Sequence, residues 1–188
     1  MDGLALAIGR ETASLVGAAA AGDRSAFDQL VRLHAEQVYR VALRMLDNPH
    51  DAEDVQQETF VQAFRRLRSF RGEAAFGTWL YAITARLCLR RRRQRASRPE
   101  EVPGQLPASA NPQMDPQELF AVREEAARVQ RVLTALSPPD RLLIVLRYVE
   151  QLSHAQIAQV LGCSPESSRS RLLRAKQLFR EHYHRMEP

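Results

Sequence analysis

The run Leu152-Ser153-His154-Ala155-Gln156-Ile157-Ala158-Gln159-Val160-Leu161-Gly162-Cys163-Ser164, continued directly by Pro165 to Arg180, reads as two helices meeting at a tight corner. Ser153 stands where it caps the first helix, Gln156 three residues later can reach back to it, and Ile157, Val160 and Leu161 supply an inward face. Ala158 is small where a second helix must come close. Gly162 falls where the chain leaves the helix, a position that calls for positive φ, and Ser164-Pro165 is an N-cap followed by proline at the first helical position. In the second helix Leu172, Ala175 and Phe179 share one stripe, while Arg169, Arg171, Arg174, Lys176 and Arg180 crowd much of the remainder. One face for protein and another for phosphates suits a helix laid in a DNA major groove. An isolated basic helix is more often a solvated surface. Here cap, small residue, turn glycine and second cap stand in order, and together they predict a DNA-binding helix-turn-helix.

Outward from this corner the composition is that of an all-α chain. Only 8 of 188 residues are glycine, and no run of alternating β-branched residues suggests a sheet. The length allows one domain or two small ones, each able to bury a core. A net charge of +5 fits an anionic partner. Cys88 and Cys163 form no C-x-x-C pair and no disulfide framework, so a reducing cytoplasm is the expected setting. Asp2, Arg10 and Glu11 precede the apolar Leu15 to Ala21, against the order of a signal peptide, and no stretch approaches bilayer-spanning length, so no membrane insertion is expected.

From Ala26 to Leu46, Phe27, Leu30, Val31, His34, Val38, Val41, Ala42 and Met45 recur at helical spacing, and Asn48-Pro49 ends this helix and opens another. The next helix begins with Asp51, Glu53 and Asp54, acids that suit a positive helix N-terminus, and runs through Val55, Thr59, Ala63 and Leu67. A loop at Ser69 to Ala75 precedes a helix at Phe76 to Arg95. Between Ala96 and Pro116 the periodicity vanishes and five prolines arrive. Helical pattern resumes at Gln117, and Ser137-Pro138-Pro139-Asp140 caps the apolar Leu142 to Val149. The expectation is a domain over 1–95, a flexible linker over 96–116 and a four-helix domain over 117–188. Since the linker offers no apolar face to tie them, the two are expected to move independently.

The helix Phe76 to Arg95 starts with Phe76, Trp79 and Tyr81 and ends with Arg90, Arg91, Arg92, Arg93 and Arg95. Aromatic faces that stack on unpaired bases beside guanidinium groups that grip the backbone are what single-stranded DNA recognition needs. The competing reading makes Trp79 and Tyr81 core residues and the arginines a solvated tail. Asp51 to Thr59 could carry paired carboxylates, but such acids are usually helix-dipole partners, and no histidine stands at ligand spacing. His34 reads as a packed helix-face residue, and His182 and His184 as solvated side chains near the chain end. With no glycine-rich phosphate loop and no nucleophile elbow, the case for an enzyme is poor, and no metal or cofactor is expected.

Four further motifs fall in one order: Gly22-Asp23 with Ala26-Phe27; Asp51-Ala52-Glu53-Asp54 with Gln57-Glu58-Thr59-Phe60; Phe70-Arg71-Gly72-Glu73-Ala74-Ala75-Phe76 with Thr78-Trp79-Leu80-Tyr81; and Leu136-Ser137 with Arg141 before the helix-turn-helix. On these the chain resembles the extracytoplasmic-function group of bacterial RNA polymerase sigma factors, from Gly22 onward. The resemblance implies a sigma2-like and a sigma4-like helical domain that direct core RNA polymerase to specific promoters and help melt the −10 region, as a monomer, without catalysis or cofactor. It implies −35 contacts from Ser164, Glu166, Ser167, Arg169, Ser170, Arg171 and Arg174. It assigns the −10 element to Arg71, Gly72, Glu73, Phe76, Thr78, Trp79, Tyr81, Arg86 and Arg90. Core polymerase falls to Asp51, Glu53, Asp54, Gln57, Glu58 and Phe60, and an anti-sigma factor is the implied regulatory partner. The chain departs from the group at Ala85-Arg86, where Arg-Asn is common, at Arg90 in place of Asp, and at Ser168 in place of a β-branched apolar residue. The alternative is a one-component helix-turn-helix regulator acting as a dimer, and the charge run at Arg90 to Arg95 argues against the ligand pocket or dimer face it would need. A bare protein-binding adaptor would leave both basic features unexplained.

Overall fold

The computed structural model describes residues 2–96 and 115–186, and among these the regular structure is entirely helical. Helix α1 is Asp2–Ala20, α2 Arg24–Leu46, α3 Pro49–Arg66 and α4 Phe76–Ala96, with a 3₁₀ turn at Leu67–Ser69. Asp23 caps α2 by accepting from the Ala26 N–H at 3.2 Å, and α2 ends at Asp47, which takes the left-handed conformation at φ 56°. Asn48 caps α3 through the Asp51 N–H at 3.0 Å, and Pro49 begins that helix with a fixed φ and no donor to waste. Leu30, Val38, Met45, Val55, Leu80 and Ile83 form the centre where α2, α3 and α4 meet. Of the buried threonines here, Thr59 donates to the Val55 carbonyl at 2.7 Å, and Thr84 to the Leu80 carbonyl at 2.9 Å.

The arginine-rich end of α4 is neither a solvated tail nor wholly free for nucleic acid. Arg91 pairs with Asp51 at 3.1 Å and with Asp54, and Arg95 pairs with Asp51 at 3.0 Å. Arg92 donates to the Met45 carbonyl at 3.1 Å and Arg95 to the Leu46 carbonyl at 3.3 Å. Arg92 and Arg95 thus sit at the C-terminus of α2, where unpaired carbonyls and the helix dipole favour positive charge.

Helices α5 (Pro116–Ala135), α6 (Pro138–Ile144), α7 (His154–Leu161) and α8 (Pro165–Arg185) make the second unit, with a π-helical turn at Val145–Val149 after α6. Tyr183 on α8 donates to Glu125 at 2.6 Å, and the Arg128 guanidinium lies 3.9 Å over the Tyr183 ring, so α5 is clasped to α8.

The two units pack on each other. Buried residues from both, from Ala19 to Ala175, form one apolar cluster. Arg40 of α2 donates to Glu150 at 2.8 and 3.0 Å, and Tyr81 of α4 donates to the same carboxylate at 2.5 Å. Arg44 donates to the Gln130 side chain at 3.2 Å, and Gln130 returns a bond to the Arg44 carbonyl at 3.3 Å. Arg141, with no exposed surface, donates to Leu133 in its own unit and, at 2.7 Å, to the Met45 carbonyl in the other. Independent units were the expectation from a linker without an apolar face. The tie comes instead from the helices on either side, while linker residues 97–114 lie outside the described residues.

Candidate nucleic-acid interface

The corner between α7 and α8 is built as its sequence dictates. Ser153 accepts from the Gln156 N–H at 3.2 Å and Gln156 returns a bond from the Ser153 N–H at 2.9 Å, which closes a capping box. Gly162 terminates α7 at φ 63°, and Ser164 caps α8 through the Ser167 N–H at 3.1 Å. Ile157, Ala158, Val160, Leu172 and Ala175 are buried, so the angle between the helices is set by packing. On the outer face Ser164, Glu166, Arg169, Ser170, Arg171 and Arg174 are exposed and Ser167 is half-buried. The predicted −35 set therefore lies together on the N-terminal half of α8, presented to solvent. Ser168 points the other way, fully buried, and its hydroxyl has no hydrogen-bond partner. Leu173, 70% exposed beside Arg174, was missed; its signal was that it falls off the Leu172, Ala175 and Phe179 stripe.

The predicted −10 set divides. Arg71, Gly72 and Glu73 are exposed on the loop between the 3₁₀ turn and α4, where Gly72 adopts φ 72°. Arg86 and Arg90 are exposed along α4. Phe76, Thr78 and Tyr81 are buried in this arrangement, so none of them presents a free face to a base. Trp79 is half-buried in an aromatic cluster, its ring centroid 5.0 Å from Phe70 and 5.6 Å from Phe76, and His34 meets Phe76 edge-on at 5.4 Å. Burial lowers the His34 imidazole below its ordinary pKa, a shift only partly opposed by its hydrogen bond to Gln37.

The predicted polymerase set divides as well. Glu53, Asp54 and Gln57 are exposed on α3, and Glu58 is half-buried. Asp51 is spent on Arg91 and Arg95, and Phe60 is 8% exposed and belongs to the core, so its ring is not a contact surface here. Val61 and Phe64, exposed on the same helix, are the apolar groups sequence reasoning passed over. Between α3 and α4 lies an open groove of about 340 Å³ lined by Asp54, Gln57, Glu58, Arg90, Arg91 and Gln94 over Val55, Val61 and Leu87. No group of His, Cys, Asp or Glu among the described residues is arranged to hold a metal ion, and no described helix is long and apolar enough to cross a membrane.

Comparison with known proteins matches two family models. Sigma-70 region 2 matches residues 30–98, and Sigma-70, region 4 matches residues 126–179. The chain is 36% identical to the ECF RNA polymerase sigma factor SigE of Mycolicibacterium smegmatis over 87% of its own length and 65% of that protein's. It is 33% identical to SigM of Mycobacterium tuberculosis, covering 89% of the chain and 82% of the relative, and 29% identical to SigW of Bacillus subtilis, covering 85% and 90%. Among solved structures it is similar to CnrH in complex with the cytosolic domain of CnrY, with TM-score 0.70, 26% identity and coverage of 94% and 99%. The sigma factor RpoE in complex with the anti-sigma factor NepR from Bartonella quintana shares the fold, with TM-score 0.66, 22% identity and coverage of 86% and 98%.

Proposed function

The chain belongs to the extracytoplasmic-function group of sigma-70 factors, and from that premise we propose that it directs core RNA polymerase to specific promoters and catalyses nothing itself. The observation that carries this reading is the exposed guanidinium face of α8, with Arg169, Arg171 and Arg174 on a helix whose opposite face is fixed by Leu172 and Ala175. A rigid helix with an arginine-lined outer face fits the major groove of a duplex −35 element, where bidentate arginine contacts to guanine discriminate. The loop at Arg71 to Glu73, with Arg86 and Arg90 exposed along α4, takes the melted −10 strand, and Glu53, Asp54, Gln57 and Glu58 face core polymerase from α3. Because RpoE, which shares the fold, is seen with an anti-sigma factor, a protein of that kind is the expected inhibitor here. The chain acts in the cytoplasm, where polymerase is, as a monomer and without a cofactor.

Co-purification with core polymerase and run-off transcription test the reading. A one-component regulator would bind duplex DNA without polymerase and start no transcripts. Arg169→Ala should weaken −35 binding by about 1–3 kcal/mol if it reads a guanine. An unchanged preference among −35 variants with a shallower salt slope would instead assign Arg169 to the phosphates.

A further inference from the structure

The end of α3 and the 3₁₀ turn and loop that follow carry Arg65, Arg66, Arg68 and Arg71, four arginines in seven positions with no acid among them. All four are exposed, and among the described residues none has a hydrogen-bond or ion-pair partner. The arginines at the end of α4 make the contrast, since Arg91, Arg92 and Arg95 are taken up by Asp51, Asp54 and the carbonyls that end α2. The helix dipole accounts for cations at Arg65 and Arg66, in the last turn of α3. It falls off within that turn and gives no reason for Arg68 or Arg71. The backbone under these charges is fixed. Leu67 is buried, the Phe70 N–H donates to its carbonyl at 3.0 Å, and the Ser69 hydroxyl donates to the Arg66 carbonyl at 2.7 Å. The Phe70 ring then packs on Trp79 at 5.0 Å and on Phe76 at 5.8 Å, which ties the turn to the start of α4. Four like charges thus face one another's repulsion on a rigid support, and no described carboxylate neutralises them.

We propose that Arg65, Arg66 and Arg68 form a phosphate grip that carries the DNA surface of the loop past Arg71 and onto the end of α3, where it holds the backbone of the opened strand. The inference rests on the proposed reading of the loop as the melted-strand surface. Arg68 and Arg71 stand on one fixed turn, so a strand whose bases meet the loop has its next phosphates within reach of the arginines beside it. A run of guanidiniums with no carboxylate between them matches a polyanion of repeating single charge. An acidic protein face would more often be met by cations and anions in alternation. Each guanidinium that meets a phosphate releases condensed counterions, which adds affinity and carries no base preference. The grip therefore strengthens capture of an opened strand and leaves the choice of sequence to other residues.

The test uses the full-length chain and two fluorescein-labelled probes, a single-stranded oligothymidylate and a duplex of mixed sequence, with binding read by anisotropy over a salt series. One variant combines Arg65→Gln, Arg66→Gln and Arg68→Gln, a second combines Arg65→Lys, Arg66→Lys and Arg68→Lys, and thermal melting checks that each is folded. On the single strand the glutamine variant should show a slope of log affinity against log salt shallower by about two, for three lost contacts at roughly 0.7 each. Its binding at low salt should weaken by about tenfold or more. The lysine variant should keep the slope, and the duplex slope, set by α8, should change far less. Should the triple glutamine variant not fold, Arg68→Gln alone carries the test, with an expected change of about 0.7. An unchanged single-strand slope in the folded variant would overturn the grip. So would an equal loss on both probes, which marks general surface charge, or a loss of slope in the lysine variant. Wild-type run-off transcription with core polymerase separates the two readings. If wild type transcribes while the glutamine variant keeps its slope, the grip alone fails; if wild type neither binds polymerase nor transcribes, the sigma-factor reading fails and the grip with it.

Discussion

Ser168 shows what a single departure does inside a well-packed corner. Its hydroxyl is buried on the stripe of Leu172 and Ala175 and has no partner, so the folded state carries a polar group that water satisfies better. Ser168→Ala should raise stability by about 0.5–1 kcal/mol, from the lost desolvation cost together with better helix propensity, as read by urea unfolding, without changing duplex affinity. His34 makes a second prediction. Its folded pKa is depressed by burial against Phe76, so between that value and its unfolded value near 6.5 the unfolded chain binds more protons than the folded one. The His34 contribution is thus complete above pH 6.5 and is lost as the pH falls toward the folded pKa. The melting temperature should drop on acidification through this window, and the drop should be smaller in His34→Phe. Spacing alone identified His34 as a packed helix residue. The same spacing could not tell Phe60 from Phe64 as the buried ring: Phe60 is 8% exposed and Phe64 50%, although the Phe64 ring meets Phe27 at 5.0 Å.

Helix boundaries were the most legible part of the chain, because their signals are local. Asp23, Asn48, Ser137, Ser153 and Ser164 each cap the helix that follows, and each lies within three residues of the N–H it accepts. Gly162 carries the left-handed turn between α7 and α8. A Cβ built there meets nothing within 4 Å, so the cost of Gly162→Ala comes from backbone strain alone, about 1–2 kcal/mol, and Gly162→Asn should cost less. Chemical denaturation of both variants checks the order. Ser153→Ala should lose about 1 kcal/mol with the capping box. What the sequence did not disclose at this scale was the use of the α4 arginines. A run of five cations looks the same whether it faces water or acids, and the partners Asp51 and Asp54 lie roughly 40 residues earlier in the chain, beyond any local pattern.

Across the molecule, the apolar cluster shared by both units predicts one cooperative unfolding transition. Far-ultraviolet and near-ultraviolet circular dichroism should give coincident melting curves, whereas two resolved transitions would show that each unit stands on its own. This association was invisible in the sequence for a physical reason. Periodicity reports that a helix has a face to bury and says nothing of what will cover it, and Glu150 meets Tyr81 and Arg40 across separations of 69 and 110 residues. The π-helical turn at Val145–Val149 has a geometric consequence here. The Glu150 N–H reaches back five residues to the Val145 carbonyl instead of four, so the ladder holds one residue more than an α-helix of that length would. An α-helix turns about 100° per residue, and removing that extra residue would swing the Glu150 carboxylate by roughly a quarter turn, away from the phenol and guanidinium that now point at it. Side chains on α6 would stay in phase while everything after the turn lost its aim, so a deletion within 145–149 should be read as a rotation of the corner and not merely as a shortening of the chain.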